Sequence, residues 1–129
     1  MMKINDQKLR AVTALAGPER YSHFVKVVAD QRKAWGLYQD GWALTADEDG
    51  NFYFPLWPAK PYAEQCVLGV WKDYAAKEID LEDLLNSLMP KLASSGSLLA
   101  IFPTPQEKGV VPPLELLETD LRSELSRME

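Results

Sequence analysis

Five apolar residues in a row, Leu98-Leu99-Ala100-Ile101-Phe102, constrain this chain more than any other feature. They put no polar side chain on either face, the pattern of a central strand buried on both sides of a sheet. Pro103-Thr104-Pro105 ends the run at once, since proline has no N–H to give a ladder. Such a strand needs neighbours in a sheet and packed cover. The 129 residues suffice for one domain, able to bury roughly 65–70% of its unfolded surface without staples.

Ahead of that strand, helical periodicity gives way to short aromatic runs. Asn5 can cap a first helix with an irregular stripe of Ile4, Leu9, Val12 and Ala16. Gly17-Pro18 stops it and starts a second. Tyr21, Phe24, Val25 and Val28 then follow the i, i+3, i+4, i+7 spacing of one helix face, as far as about Arg32. Two aromatic-rich runs, 34–38 and 42–45, flank Gln39-Asp40-Gly41, and an Asp-Gly step in that setting predicts a hairpin. A second turn, Asp47-Glu48-Asp49-Gly50, leads into Asn51-Phe52-Tyr53-Phe54, closed by Pro55. The three runs predict an antiparallel meander.

Pro58 and Pro61 frame a third helix over 62–68 that Gly69 stops, with Trp71 and Tyr74 in the following loop. Residues 75–79 form a short strand, and Asp80 is placed to cap a fourth helix. Leu81, Leu84, Leu85, Leu88 and Leu92 share a face of that helix, which Pro90 must kink or end. After the apolar strand, 109–111 is a further short strand and Pro112-Pro113 starts the last helix. Leu114, Leu117, Leu121 and Leu125 line one side of it, and Glu118 with Arg122 makes an i, i+4 pair on the other. The predicted fold is α+β: an N-terminal helical pair and a three-stranded antiparallel meander joined to a mixed sheet, with helices mainly on one face. It forms one domain over residues 1–129.

The formal charge is −5, with the acid excess carried from Gln65 onward. A phosphate backbone repels such a surface, so nucleic acid is not an expected partner. Lys26, Arg32 and Lys33 cluster near a helix end, where cations suit the dipole. Cys66 is the only cysteine, which excludes an intramolecular disulfide and fits a reducing compartment. The first ten residues are polar and lack the apolar core of a signal peptide, and the longest apolar run is far too short to cross a bilayer. A cytoplasmic protein without membrane insertion is expected.

The chain offers little for catalysis. A cysteine nucleophile needs a base in reach, and the one histidine, His23, lies on a different helix from Cys66. One Cys and one His do not fill a zinc site. Asp47-Glu48-Asp49-Gly50-Asn51 brings its glycine too early for an EF-hand loop and reads as a solvated hairpin tip. Ser94-Ser95-Gly96 lacks the length and the lysine of a phosphate loop. Glu78, Asp80, Glu82 and Asp83 suit a helix start. No catalytic residue, metal or cofactor is expected.

Several segments are familiar as a set: Trp35-Gly36-Leu37, Gly41-Trp42-Ala43-Leu44 and Phe54-Pro55-Leu56-Trp57-Pro58. Tyr62-Ala63, Trp71, Ile79-Asp80-Leu81, Phe102-Pro103-Thr104-Pro105 and Gly109-Val110-Val111 follow in order. Over about 20–125 the chain resembles a bacterial family of unknown function, domain of unknown function 2750 (DUF2750). In layout alone it is similar to SseB-like N-terminal domains. The resemblance implies a bacterial, cytoplasmic origin and supplies no activity.

Aromatic residues stand out. Trp35 and Trp42, on strands beside the Asp40-Gly41 turn, are expected to cover the core, with most of the other rings. Trp57, Tyr62 and Trp71 lie near proline-rich turns and, with Pro58 and Pro103, form the candidate binding surface. Trp and Tyr give large rigid contact area with a polar handle. The expected function is a non-enzymatic protein-interaction or regulatory module with an unidentified protein partner. The alternative is a small-ligand binder or enzyme that uses carboxylates and Tyr hydroxyls in an aromatic-lined pocket at the same place.

Overall fold

Local chemistry sets the helix boundaries. In the computed structural model, which describes residues 4–128, the Asn5 side chain accepts from the Lys8 amide at 2.8 Å and opens α1 (Asp6–Thr13). Met1–Lys3 and Glu129 lie outside the described residues. Gly17-Pro18 starts α2 (Gly17–Gln31), where the missing proline N–H leaves no bond unmade. Arg32 ends α2 in the left-handed region at φ 61°, and its carbonyl accepts from Leu81 N at 3.0 Å. The two helices follow one another as expected.

The fold is α+β, with one antiparallel pair of strands and one mixed three-stranded sheet. β1 (Lys33–Tyr38) leads to a two-residue β2 (Thr45–Ala46) and then β3 (Phe52–Leu56). The Asp40-Gly41 turn is present, with Asp40 at φ 54° and Gln39 N bonded to Gly41 O at 2.9 Å. The first hairpin of the expected meander, however, shrinks to a single bridge between Tyr38 and Trp42, while the second is kept as the antiparallel β2–β3 pair. Trp42 lays its indole over Gly36, where a Cβ would meet ring carbons at 3.0 Å, and its arm leaves β1 to reach β3. The ladder of β1 runs instead with β4 (Ala75–Asp80), antiparallel from Lys33↔Asp80 to Tyr38↔Ala75.

In the mixed sheet β3 pairs antiparallel with β2 and parallel with β5 (Leu98–Ile101). Pro55 marks the point where β3 changes partner. Tyr53 pairs with Thr45, and two residues past Pro55 Trp57 exchanges both backbone hydrogen bonds with Trp35, at 2.9 and 2.8 Å. Between them the proline has no N–H to give, so the β2 ladder stops and β1 takes over. The Trp35–Trp57 bridge thereby joins the two sheets.

The apolar run is buried as its composition demands, with Leu99 and Ile101 at 0% exposure. The expected strand at 109–111 is one bridge, Ile101↔Val110. Continued, it would set Leu99 opposite Pro112, which cannot donate. Gly109 lies so close to the strand that a Cβ would stand 2.8 Å from the Ile101 carbonyl oxygen.

The third helix is shorter and earlier than expected: α3 spans Lys60–Glu64. Gly69, at φ 59°, begins a 3-10 turn, Gly69–Trp71, rather than stopping a helix. Asp80 caps the next helix by accepting from Glu82 N at 3.1 Å. The chain then winds through α4 (Leu81–Asp83), a π turn (Leu84–Leu88) and α5 (Met89–Ser95). Met89 N bonds back to Leu84 O, and this wide turn accommodates the Pro90 ring without ending the helix. The last helix, α6 (Leu114–Met128), buries Leu117 and Leu121 and packs on α2, where Tyr21 Oη donates to Asp120 Oδ2 at 2.6 Å. One hydrophobic cluster links the helices and both sheets.

Candidate functional site

Side chains alternate along β3. Phe54 and Leu56 enter the core, so Tyr53 and Pro55 take the other face, with Thr45 beside Tyr53 and Ala100 beside Pro55. Over that face Trp71 and the 103–109 loop enclose a cleft of about 480 Å³ that Tyr53 and Ala100 also line. The volume is within the range of small-molecule sites, about 300–1,000 Å³.

The loop wall is pinned by side chains from the core. Phe102 sits at φ 58°, a conformation that strains a bulky residue. Its carbonyl accepts from Arg20 Nε at 3.1 Å. The next carbonyl, Pro103 O, accepts from Trp57 Nε1 at 2.8 Å and faces Cys66 Sγ at 3.6 Å. Arg20 is itself buried, at 2% exposure, and its Nη1 reaches Leu15 O and Glu107 Oε1, both at 2.7 Å. Thr104 closes the turn, its hydroxyl accepting from Glu107 N at 3.0 Å. Base and tip are both fixed.

The opposite wall is the β2–β3 turn, organised by Asp47. Its Oδ1 accepts from Asp49 N at 2.9 Å and Asn51 N at 3.0 Å. Its Oδ2 accepts from Asn51 Nδ2 at 2.9 Å and Tyr53 Oη at 2.6 Å. The Tyr53 bond, followed by those of Asn51, holds the Asp47 carboxyl far below the usual carboxylate range, and the same bond raises the Tyr53 hydroxyl. The solvated hairpin tip is therefore also a cleft rim.

Of the five residues selected from sequence, Trp71 and Pro103 line the cleft. Trp57 and Tyr62 are buried, at 0% and 1% exposure, and Pro58 is buried with them; none presents a side-chain surface. Trp57 acts from behind, meeting Trp71 edge-on at 6.2 Å. Trp35 and Trp42, expected as core, are only partly buried against it. Sequence reasoning missed Asp47, Tyr53, Thr104, Glu107 and Lys108 as lining residues. Only the turn chemistry of Asp47 and Thr104 marked them, and turns are not sites by themselves.

Catalytic groups do not converge here. Burial pushes the Cys66 thiol up to about 11, against a smaller lowering by a hydrogen bond from Trp57, so it is protonated at neutral pH. His23 packs edge-on to Tyr62 at 6.1 Å and tilted against Phe102 at 6.3 Å. Burial and then Lys8 lower its pKa. Among the described residues no group of three or more metal-binding side chains occurs, and no helix is long and apolar enough to cross a membrane.

The Tyr62 hydroxyl is buried without a hydrogen-bond partner. An unsatisfied buried hydroxyl is destabilising, so Tyr62→Phe should raise stability by about 1 kcal/mol. Denaturant melts test this, and a loss of stability would show that the hydroxyl is satisfied in solution.

The model of a family described as "Protein of unknown function (DUF2750)" matches residues 21–121, from α2 into α6. The chain belongs to the DUF2750 family. No curated protein and no solved structure matches it. The matched DUF2750 region contains every residue named above as lining the cleft, and it begins one residue after Arg20.

Proposed function

We propose that this DUF2750 domain is a non-enzymatic small-ligand-binding module whose site is the cleft between the β2–β3 turn and the 103–109 loop. The observation that carries the reading is preorganisation. Arg20 and Trp57 bind the carbonyls of Phe102 and Pro103, and Glu107 is tied to Arg20, so the wall needs no ordering on binding. Burial of Trp57, Pro58 and Tyr62 counts against a protein-contact surface built on the full aromatic set. The rings that remain accessible in the cleft, Trp71 and Tyr53, suit a small molecule. Cys66 and His23 both lie outside the residues lining the cleft, which supports binding without turnover.

The same reading has the domain in the bacterial cytoplasm and away from nucleic acid. Its support is the family resemblance, the single buried free cysteine and the net charge of −5.

Protein-observed NMR with a library of metabolite-sized compounds tests the site. Binders are expected to shift the Trp71 indole and the amides of 104–109 and to be recovered unchanged, and Trp71→Ala should weaken them about tenfold. Binders that map to the groove between α2 and α6, or a library without binders, would remove the reading.

A further inference from the structure

We propose that the cleft takes a small dipolar compound with a methylated ammonium at one end and an anion at the other. This deepens the ligand-binding reading and rests on it. The charged side chains lining the cleft are Asp47, Glu107 and Lys108. Glu107 is already matched by Arg20 at 2.7 Å. That leaves Asp47 and Lys108, neither in an ion pair among the described residues.

The two lie toward opposite edges of the sheet. Asp47 directly follows β2, and Lys108 comes two residues before the Val110 bridge to β5. The strand order β2-β3-β5, with the Val110 segment bridged to the far edge of β5, sets the two on opposite sides of the sheet's centre. The cleft is negative at one end and positive at the other.

Asp47 decides which cation fits. A carboxylate offers about four acceptor sites, and the protein fills four, from Asp49 N, Asn51 N, Asn51 Nδ2 and Tyr53 Oη. Asp47 thus contributes charge with little remaining capacity to accept. A primary ammonium brings three N–H donors and would leave them poorly satisfied there. A quaternary ammonium has no N–H, and it gains from a nearby negative charge and from aromatic faces. Tyr53 and Trp71 supply rings in the same cleft. The anionic end of the ligand then meets Lys108.

Three probes separate the components by NMR titration of the full chain. These are 4-(trimethylammonio)butanoate, its uncharged-head isostere 5,5-dimethylhexanoate, and 4-aminobutanoate. The first should shift Tyr53, the Trp71 indole and Lys108, and bind at least about tenfold more tightly than either of the others. Lys108→Gln should weaken it about fivefold with the remaining spectrum unchanged. Equal binding of 5,5-dimethylhexanoate would overturn the cation, and equal binding of 4-aminobutanoate would overturn the methyl requirement; both leave the cleft as the site. If none of the three binds while other metabolite-sized compounds shift the cleft, the proposed ligand class alone is overturned. If binding maps outside the cleft, the site falls with it.

Discussion

Trp57→Ala is expected to be the most destabilising tryptophan substitution in this chain. The side chain is fully buried, and truncating a large aromatic in a core costs about 3–5 kcal/mol. The loss also strips Pro103 O of its 2.8 Å bond from the indole, leaving only the weak Cys66 Sγ donor at 3.6 Å, which adds roughly 1 kcal/mol. Against a typical total of about 5–15 kcal/mol, the variant is at the edge of folding. Trp57→Phe separates the two contributions, since it keeps most of the volume and removes only the donor. Trp35→Ala and Trp42→Ala, both half-buried, should cost less, and Trp71→Ala about 1–2 kcal/mol. Denaturant melts with equal slopes measure all of these. A loss for Trp57→Ala no larger than that for Trp71→Ala would mean that the core does not rest on Trp57.

Arg20→Met is the second large effect. Met refills much of the space of the side-chain stem but leaves Phe102 O and Leu15 O without their donors, for a loss of roughly 2–6 kcal/mol at about 1–3 kcal/mol per carbonyl. The ion pair itself contributes little of this. Glu107 is 60% exposed, and pairs with a solvated partner are worth about 0–1 kcal/mol, so Glu107→Gln should change stability by less than about 1 kcal/mol. The contrast between the two variants is the test. If Glu107→Gln costs as much as Arg20→Met, the salt bridge rather than the carbonyl bonding holds the loop. Arg20→Met should also broaden the NMR signals of 103–109, because the strained Phe102 conformation loses the bond that holds its carbonyl.

Much of the local chemistry was legible in the sequence. Asn5 and Asp80 cap helices as their side chains allow, Asp40-Gly41 turns the chain, and 98–102 is buried as its composition requires. Glu118 and Arg122 pair at 3.0 Å, and the aromatic and proline segments identify the family. Each of these effects acts over a few residues, so the sequence alone determines it. Strand partnership does not act over that range. An Asp-Gly turn fixes where the chain reverses but not whether the returning arm stays, and here the arm leaves after the Tyr38–Trp42 bridge to pair with β3 while β4, far along the chain, pairs with β1.

The site divides in the same way. Trp57, Tyr62 and Trp71 look alike in sequence, each beside a proline or glycine turn, yet only Trp71 reaches the cleft. The cleft itself joins a turn near residue 47 to a loop near residue 107, and the tie that fixes the loop joins Arg20 to Phe102 and Glu107. Hydrophobic periodicity reports that a residue is apolar and where it lies along its own element. Which face is covered, and by what, is decided only when distant segments compete for the same surface. The sequence by itself determined most of the elements, their order and the family; the tertiary structure alone decided which aromatic rings became core and which became walls.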